Sequence, residues 1–387
     1  WQAFLDKPLY YPDAVFTLNN FTRFVTDSEI ARSLGATAVF TTIVVVLSMV
    51  IGVALALLVG RTNLPLRGPL LGLLLWPLFL SPQIIGFGAI ISYGPVGFVT
   101  SAIERLIGFT PWHLYTVPGI AVITAISNVP MTLLYCLTAA SQQDPNHSAA
   151  ARVSGAGPQI ILRRINLPLM RPAIIFAIIM NIISALKQLA IPLILGAPVG
   201  IRLLTKLIYD KSFSSGVPDY GLVAALALLL LLLVVVLFLI QRMLLQKAHR
   251  FVSIGSRTGR IHPLSLGKWK WPAFGIVLLY IFFGTAVLIG GVGIRAFTAV
   301  FSPFVSPFDV LTLNNFTLIF NQPVYVRSIT NTMWLAVIGA AAGTVLITAV
   351  ALVAQRSELK MRRYIDALAQ VPRVVPGIVV GLGVFYA

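Results

Sequence analysis

Thr17-Leu18-Asn19-Asn20-Phe21-Thr22 returns in the same chain as Thr312-Leu313-Asn314-Asn315-Phe316-Thr317, 295 residues later. From there the offset holds without a gap to the end of the chain. Arg32-Ser33 maps to Arg327-Ser328, Arg61 to Arg356, Arg67 to Arg362, Pro77 to Pro372, and Gly86 and Gly88 to Gly381 and Gly383. Leucine on leucine between two apolar stretches carries little information. Asn, Arg and Pro are used sparingly in membrane spans, so their matches do. We read two related membrane halves in tandem. The same offset places the counterpart of the apolar stretch 271–294 ahead of Trp1, and the first repeat runs on past the position matching Ala387. We therefore expect a chain incomplete at both ends.

The composition agrees with a membrane protein: 58% of residues are hydrophobic and 10% charged, against roughly 25% charged in a soluble domain. Mean hydropathy is +0.93. We expect an all-α, polytopic transmembrane bundle. Eight stretches approach the roughly 20 apolar residues a bilayer core requires: 34–59, 70–92, 117–139, 172–196, 219–241, 272–293, 328–353 and 364–387. These divide into a first half at 1–241, a linker at 242–271 and the start of a second half at 272–387. The lone cysteine, Cys136, permits neither an internal disulfide nor a cysteine metal cluster.

The charge of +17 is largely a topology signal. Loops 60–69, 140–171, 242–271 and 354–363 hold 17 of the 28 Lys and Arg, and the alternating segments 1–33, 93–116, 197–218 and 294–327 hold 9. The richer set is expected in the cytoplasm. No basic face with interleaved aromatics points to nucleic acid. The linker reads as a cytoplasmic flank of two spans or as a binder of anionic lipid heads. Residues 98–107 have helical apolar spacing with Glu104 and Arg105 opposite. That suits a helix on the outer interface or one packed on other spans. Trp76-Pro77 and Ser81-Pro82 interrupt the second span, and Pro372 and Pro376-Gly377 its repeat. Such breaks either line a path between the halves or are ordinary packed kinks.

A cytoplasmic stretch carries the most specific pattern: Asp144-Pro145-Asn146-His147-Ser148-Ala149-Ala150-Ala151-Arg152-Val153-Ser154-Gly155, continuing to Arg163-Arg164-Ile165-Asn166-Leu167-Pro168. It resembles the EAA loop of type I ABC-importer permeases: Glu-Ala-Ala, three residues, Gly, nine residues, Ile-x-Leu-Pro. Ala150, Ala151, Gly155, Ile165, Leu167 and Pro168 fill their positions, while Ala149 stands where the family has Glu. In that family the loop forms a short helix seated in a cleft of a cytoplasmic ATPase. The residues suit this. Ala149 to Ala151 allow close approach, Asp144 or Ser148 can cap the start, Gly155 can end the helix, and Arg152, Arg163 and Arg164 can meet acidic groups. The alternative is a basic loop that only sets orientation.

Pro192-Leu193-Ile194-Leu195-Gly196, Asp219-Tyr220-Gly221-Leu222, Gln241-Arg242 and Arg250-Phe251-Val252 look like ferric-iron-type permeases, which are also fused duplicates. The resemblance implies a multi-pass subunit of the bacterial inner membrane. Its partners would be two ATPase subunits and a periplasmic or lipid-anchored solute-binding protein. Ferric iron or an iron complex is the leading solute, with thiamine, phosphonate and other small solutes also carried in this branch. ATP hydrolysis is expected in the separate subunit, since no P-loop is present, and no cofactor or metal site is expected.

Lys187, within an otherwise apolar span apart from Asn181, Ser184 and Gln188, is the sharpest candidate for the solute path. Its charge costs roughly 2.5–3.5 kcal/mol at a bilayer centre. It either lines a cavity, as intramembrane charges do, or snorkels or pairs internally. The ferric family often has an acidic residue near this position. Gln188, Ser184, Gln83 and Asn128 are polar residues in or beside spans, serving either as solute contacts or as helix–helix glue. An ion-coupled secondary transporter would also show repeats and broken spans. It would need intramembrane carboxylates, and the expected spans hold only Asp219 and Asp366, each near an end.

Overall fold

A computed structural model describes residues 1–8, 11–214, 219–246, 263–300, 305, 307–356 and 375–385. It divides into two compact units, Trp1–Val292 and Gly293–Ala387. Among the described residues both are helical, with extended pairing confined to isolated bridges. Among the described residues, six helices are long and apolar enough to cross a membrane, or up to eight if each of two bent pairs is one span.

In the first unit, α1 (Asn19–Thr26) leads into α2 (Ser28–Arg61), which starts where the Asp27 side chain accepts the Glu29 amide. α2 packs most extensively on α6 (Val117–Ser141). In a bilayer, lipid tails are as apolar as leucine, so close packing and interhelical hydrogen bonds must hold helices together. Both are present. A Cβ on Gly52 would lie 2.6 Å from Thr132 Cβ and Cγ2, so only glycine allows this crossing without a shift. Nearby, Asn181 Nδ2 donates to Thr132 Oγ1 and Ala177 O, each at 2.8 Å. Asn181 is thus helix–helix glue.

The expected span 70–92 is two helices. α3 (Arg67–Leu75) tightens into a 3₁₀ turn at Trp76–Phe79, Leu80 is extended, and α4 (Pro82–Tyr93) restarts with Ser81 accepting the Gln83 amide. After a turn, α5 (Phe98–Ile107) buries Val99 and Thr100 and exposes Leu106.

The expectation of one continuous span over 172–196 is wrong. After α7 (Pro145–Val153) and α8 (Pro158–Leu169), the chain bends 67° into α9 (Arg171–Lys187). α9 stops at Lys187, Gln188 is extended, and α10 (Ala190–Val199) follows, itself bent 79° from α11 (Leu204–Phe213). Pro192 explains the stop. It has no N–H for the carbonyl four residues back, which is that of Gln188. Thr205 Oγ1 donates to that carbonyl instead, at 2.7 Å. Lys187 therefore ends a helix and is not midway along one.

α12 (Tyr220–Gln246) and α13 (Gly267–Ala296) complete the long helices of this part. Residues of α13 up to Val292 pack within the first unit. A Cβ on Gly88 would lie 2.4 Å from Leu288 O, and Ser92 Oγ donates to Val287 O at 3.0 Å. These small residues give α13 its seat against α4. Of the linker 242–271, residues 247–262 lie outside the described part.

Charged segments meet as the alternation of basic loops implies. Glu29, Arg202, Asp210 and Lys211 form one ion-pair cluster, with Arg23–Asp219 a further ion pair from the same group of segments. All belong to segments expected outside or border on them. Arg61, Gln143, Asn166 and Leu264, from loops expected inside, meet one another.

The second unit holds α14 (Asn314–Asn321), α15 (Pro323–Arg356) and α16 (Gly377–Phe385). The expected span 364–387 is described only in part, because residues 357–374 lie outside the described part. The bounds of α14 and α15 equal those of α1 and α2 shifted by 295. The repeated asparagine has the same task in both units. Asn20 Nδ2 donates to Ala3 O and Leu5 O at 3.0 and 2.9 Å, and Asn315 Nδ2 to Ala296 O and Thr298 O, each at 3.0 Å. Phe4 stacks near Phe21, and Phe297 near Phe316. Upstream of the loop the offset is therefore 293, not 295, since the second copy carries two more residues between these anchors.

Candidate coupling surface

Helix α7 is nine residues long, too short to be stable alone in water, and local signals bound it tightly. The Asp144 side chain accepts the Asn146 amide at 2.9 Å, a cap worth about 1 kcal/mol, and Pro145 fits the first turn. At the other end Gly155 takes φ +81°. Its N–H bonds Arg152 O and the Ala156 N–H bonds Ala151 O, both at 2.9 Å. This 5→2 and 6→1 pair is the Schellman arrangement, which needs a left-handed residue where Gly155 stands.

The helix shows two faces. Ala149, Ala150 and Arg152 are exposed, and Val153 is 90% exposed. Ile160, on α8, is also exposed, as are Arg163 and Arg164. A small-residue ridge flanked by an apolar side chain and guanidinium groups is therefore open to solvent. Ser148 faces the other way and is buried. Ile165, Leu167 and Pro168 are half-buried, at the π-turn Leu162–Asn166 and the short helical turn after it. There α8 bends toward α9.

Behind α7 lies a polar network that the sequence reading missed. Arg61, the last residue of α2, is 4% exposed, and its Nη2 donates to Gln143 Oε1 at 2.7 Å. Gln143 Nε2 donates to Asn166 O at 2.8 Å. Asn166 is fully buried, and its Oδ1 accepts from Ser148 Oγ at 3.4 Å. Of the two possible caps, Asp144 takes the role and Ser148 turns inward. Two signals pointed here. Arg61 is one of few charged positions that both repeats keep, and Asn166 is the free position of the Ile-x-Leu-Pro tail.

The candidate solute residues are only partly gathered. Ser184 Oγ donates to Asn128 Oδ1 at 3.2 Å, while Asn128 Nδ2 is buried without a hydrogen-bond partner. Lys187 and Gln188 stand at the α9–α10 break, both half-buried. Gln83 is exposed at the start of α4, engaged with Ser81. The structure thus links Ser184 to Asn128, sets Lys187 beside Gln188, and keeps Gln83 within a local cap.

The ferric transport system permease protein FbpB of Actinobacillus pleuropneumoniae is 24% identical over 386 residues, 98% of this chain and 55% of its own length. The sulfate transport system permease protein CysW of Escherichia coli K12 is 26% identical over 166 residues, 42% of this chain and 55% of its own. The chain spans only 55% to 59% of the length of the ferric relatives it matches. A chain of a bacterial alginate ABC transporter, crystallised in complex with an alginate pentasaccharide-bound periplasmic protein, shares the fold. The TM-score is 0.51 at 17% identity, over 62% of this chain and 85% of that one. The family model of the binding-protein-dependent transport system inner membrane component matches residues 52–250, just over half of the chain and the whole of α7 with its buried network, and the chain belongs to that family.

Proposed function

We propose that this chain is part of the permease of an ABC importer, moving a small solute inward on ATP hydrolysis by a partner, with α7 as the contact that receives the stroke. The observation that carries this is α7 itself. It is closed at both ends by local hydrogen bonds, backed by buried polar groups, and presents Ala149, Ala150 and Val153 outward within the region matched by the family. Two ATPase subunits and a solute-binding protein are the partners this reading requires.

Ferric iron or an iron complex is the solute we place first, because the ferric relative aligns along 98% of the chain. An oxyanion is the second reading, favoured by the sulfate relative and by a cation at the α9–α10 break. The test uses the full-length permease reconstituted with its ATPase and binding protein. ATP-dependent uptake of labelled ferric iron, with none of labelled sulfate, supports the first reading. The reverse supports the second. Uptake that continues at full rate without the ATPase overturns the proposal as a whole.

A further inference from the structure

We infer that Arg61 is a positioning residue that locks the coupling helix to the end of the inter-half linker, so that both move as one piece. The inference rests on the function proposed above and deepens it.

Arg61 has hydrogen bonds on two sides. Its side chain holds Gln143, which holds Asn166, the residue Ser148 of α7 touches. Its backbone carbonyl accepts the Leu264 amide at 2.8 Å, the Asn63 amide donates to Leu264 O at 3.1 Å, and the Leu266 amide donates to Asn63 Oδ1 at 3.0 Å. The linker end is thereby zipped in parallel along residues 61–63, immediately before α13. One residue connects α7 to the span that the repeat assigns to the other half.

The chemistry marks Arg61 as more than packing. Among the described residues it enters no ion pair, and its Nε is buried without a hydrogen-bond partner. The end of a 34-residue helix is a favourable place for a cation, because unpaired carbonyls concentrate negative potential there. A buried guanidinium held by the one neutral amide of Gln143 is expensive where a Leu would fill the same space at little cost. Rigid polar links of this kind carry displacement between elements with two discrete arrangements.

The test compares Arg61→Met, Arg61→Lys, Gln143→Leu and the double variant Arg61→Met/Gln143→Leu in the full reconstituted transporter. Complex recovery, ATP hydrolysis and solute uptake are measured for each. The expected result is normal recovery of the complex with solute moved per ATP reduced about ten-fold in Arg61→Met, within the range coupling mutations span. Gln143→Leu should match it, the double variant should be no worse than either single, and Arg61→Lys should recover part of the loss. Wild-type uptake per ATP in Arg61→Met overturns the inference. So does a fall in uptake that only tracks lost complex, or additive losses in the double variant. If the wild-type complex itself shows no ATP-driven uptake, the functional reading fails, and that outcome is distinct from these.

Discussion

Replacing Gly155 isolates what α7 contributes. Its φ of +81° lies where a Cβ meets the following carbonyl, at a cost of roughly 1–2 kcal/mol for an L residue. No atom lies within 4 Å of the position a Cβ would take, so steric collision adds nothing and the penalty is backbone alone. If the turn opens to escape that strain, the two closing hydrogen bonds are lost instead, at about 0.5–1.5 kcal/mol each. By either route the cost is about 1–2 kcal/mol, which is large for a nine-residue helix that is marginal alone. Gly155→Ala should open the last turn of α7 and weaken recovery of the ATPase by at least about ten-fold, while membrane abundance stays normal. Gly155→Asn should lose less, since asparagine tolerates the left-handed region. Gly157 is the control: its φ is −70° and its Cβ position is also open, so Gly157→Ala should bind as the parent does. Affinity of the purified permease for its ATPase, read by co-purification and by surface binding, decides. Unchanged affinity in Gly155→Ala, or equal loss in Gly157→Ala, would refute the reasoning.

Further outcomes follow from other parts of the fold. Gly52→Leu forces side-chain atoms into Thr132 and should destabilise the α2–α6 pair by about 1–3 kcal/mol, seen as a lower melting temperature in detergent. Asn20→Ala strips a donor from Ala3 O and Leu5 O and should cost about 1–3 kcal/mol, with faster amide exchange at Thr17; Asn315→Ala should do the same at Thr312. Lys187→Met should lower uptake with membrane abundance normal, and full uptake would remove the α9–α10 break from the solute path.

Much of this architecture was readable residue by residue. Apolar stretches become spans because burial of backbone polar groups in lipid demands helices, and this needs only about 20 neighbours in sequence. Prolines at 77 and 82 broke the second span because a missing N–H acts within one turn. The capping pattern around Asp144 and Gly155 is local as well, which is why the bounds of α7 were legible. Pro192 carried the same kind of signal, yet apolar composition on both sides masked it, and the break after Lys187 went unread.

Sequence by itself determined most of the helices, their basic-loop alternation and the duplication that gives α14 and α15 the bounds of α1 and α2. Tertiary structure alone decided that Arg61 meets Gln143 across 82 positions, that the linker end pairs with residues 61–63, and that α13 up to Val292 packs with the first unit. Hydrophobic periodicity and capping are properties of adjacent residues. A hydrogen bond between distant spans leaves no periodic trace, and it becomes visible only when the folded chain brings its donor and acceptor together.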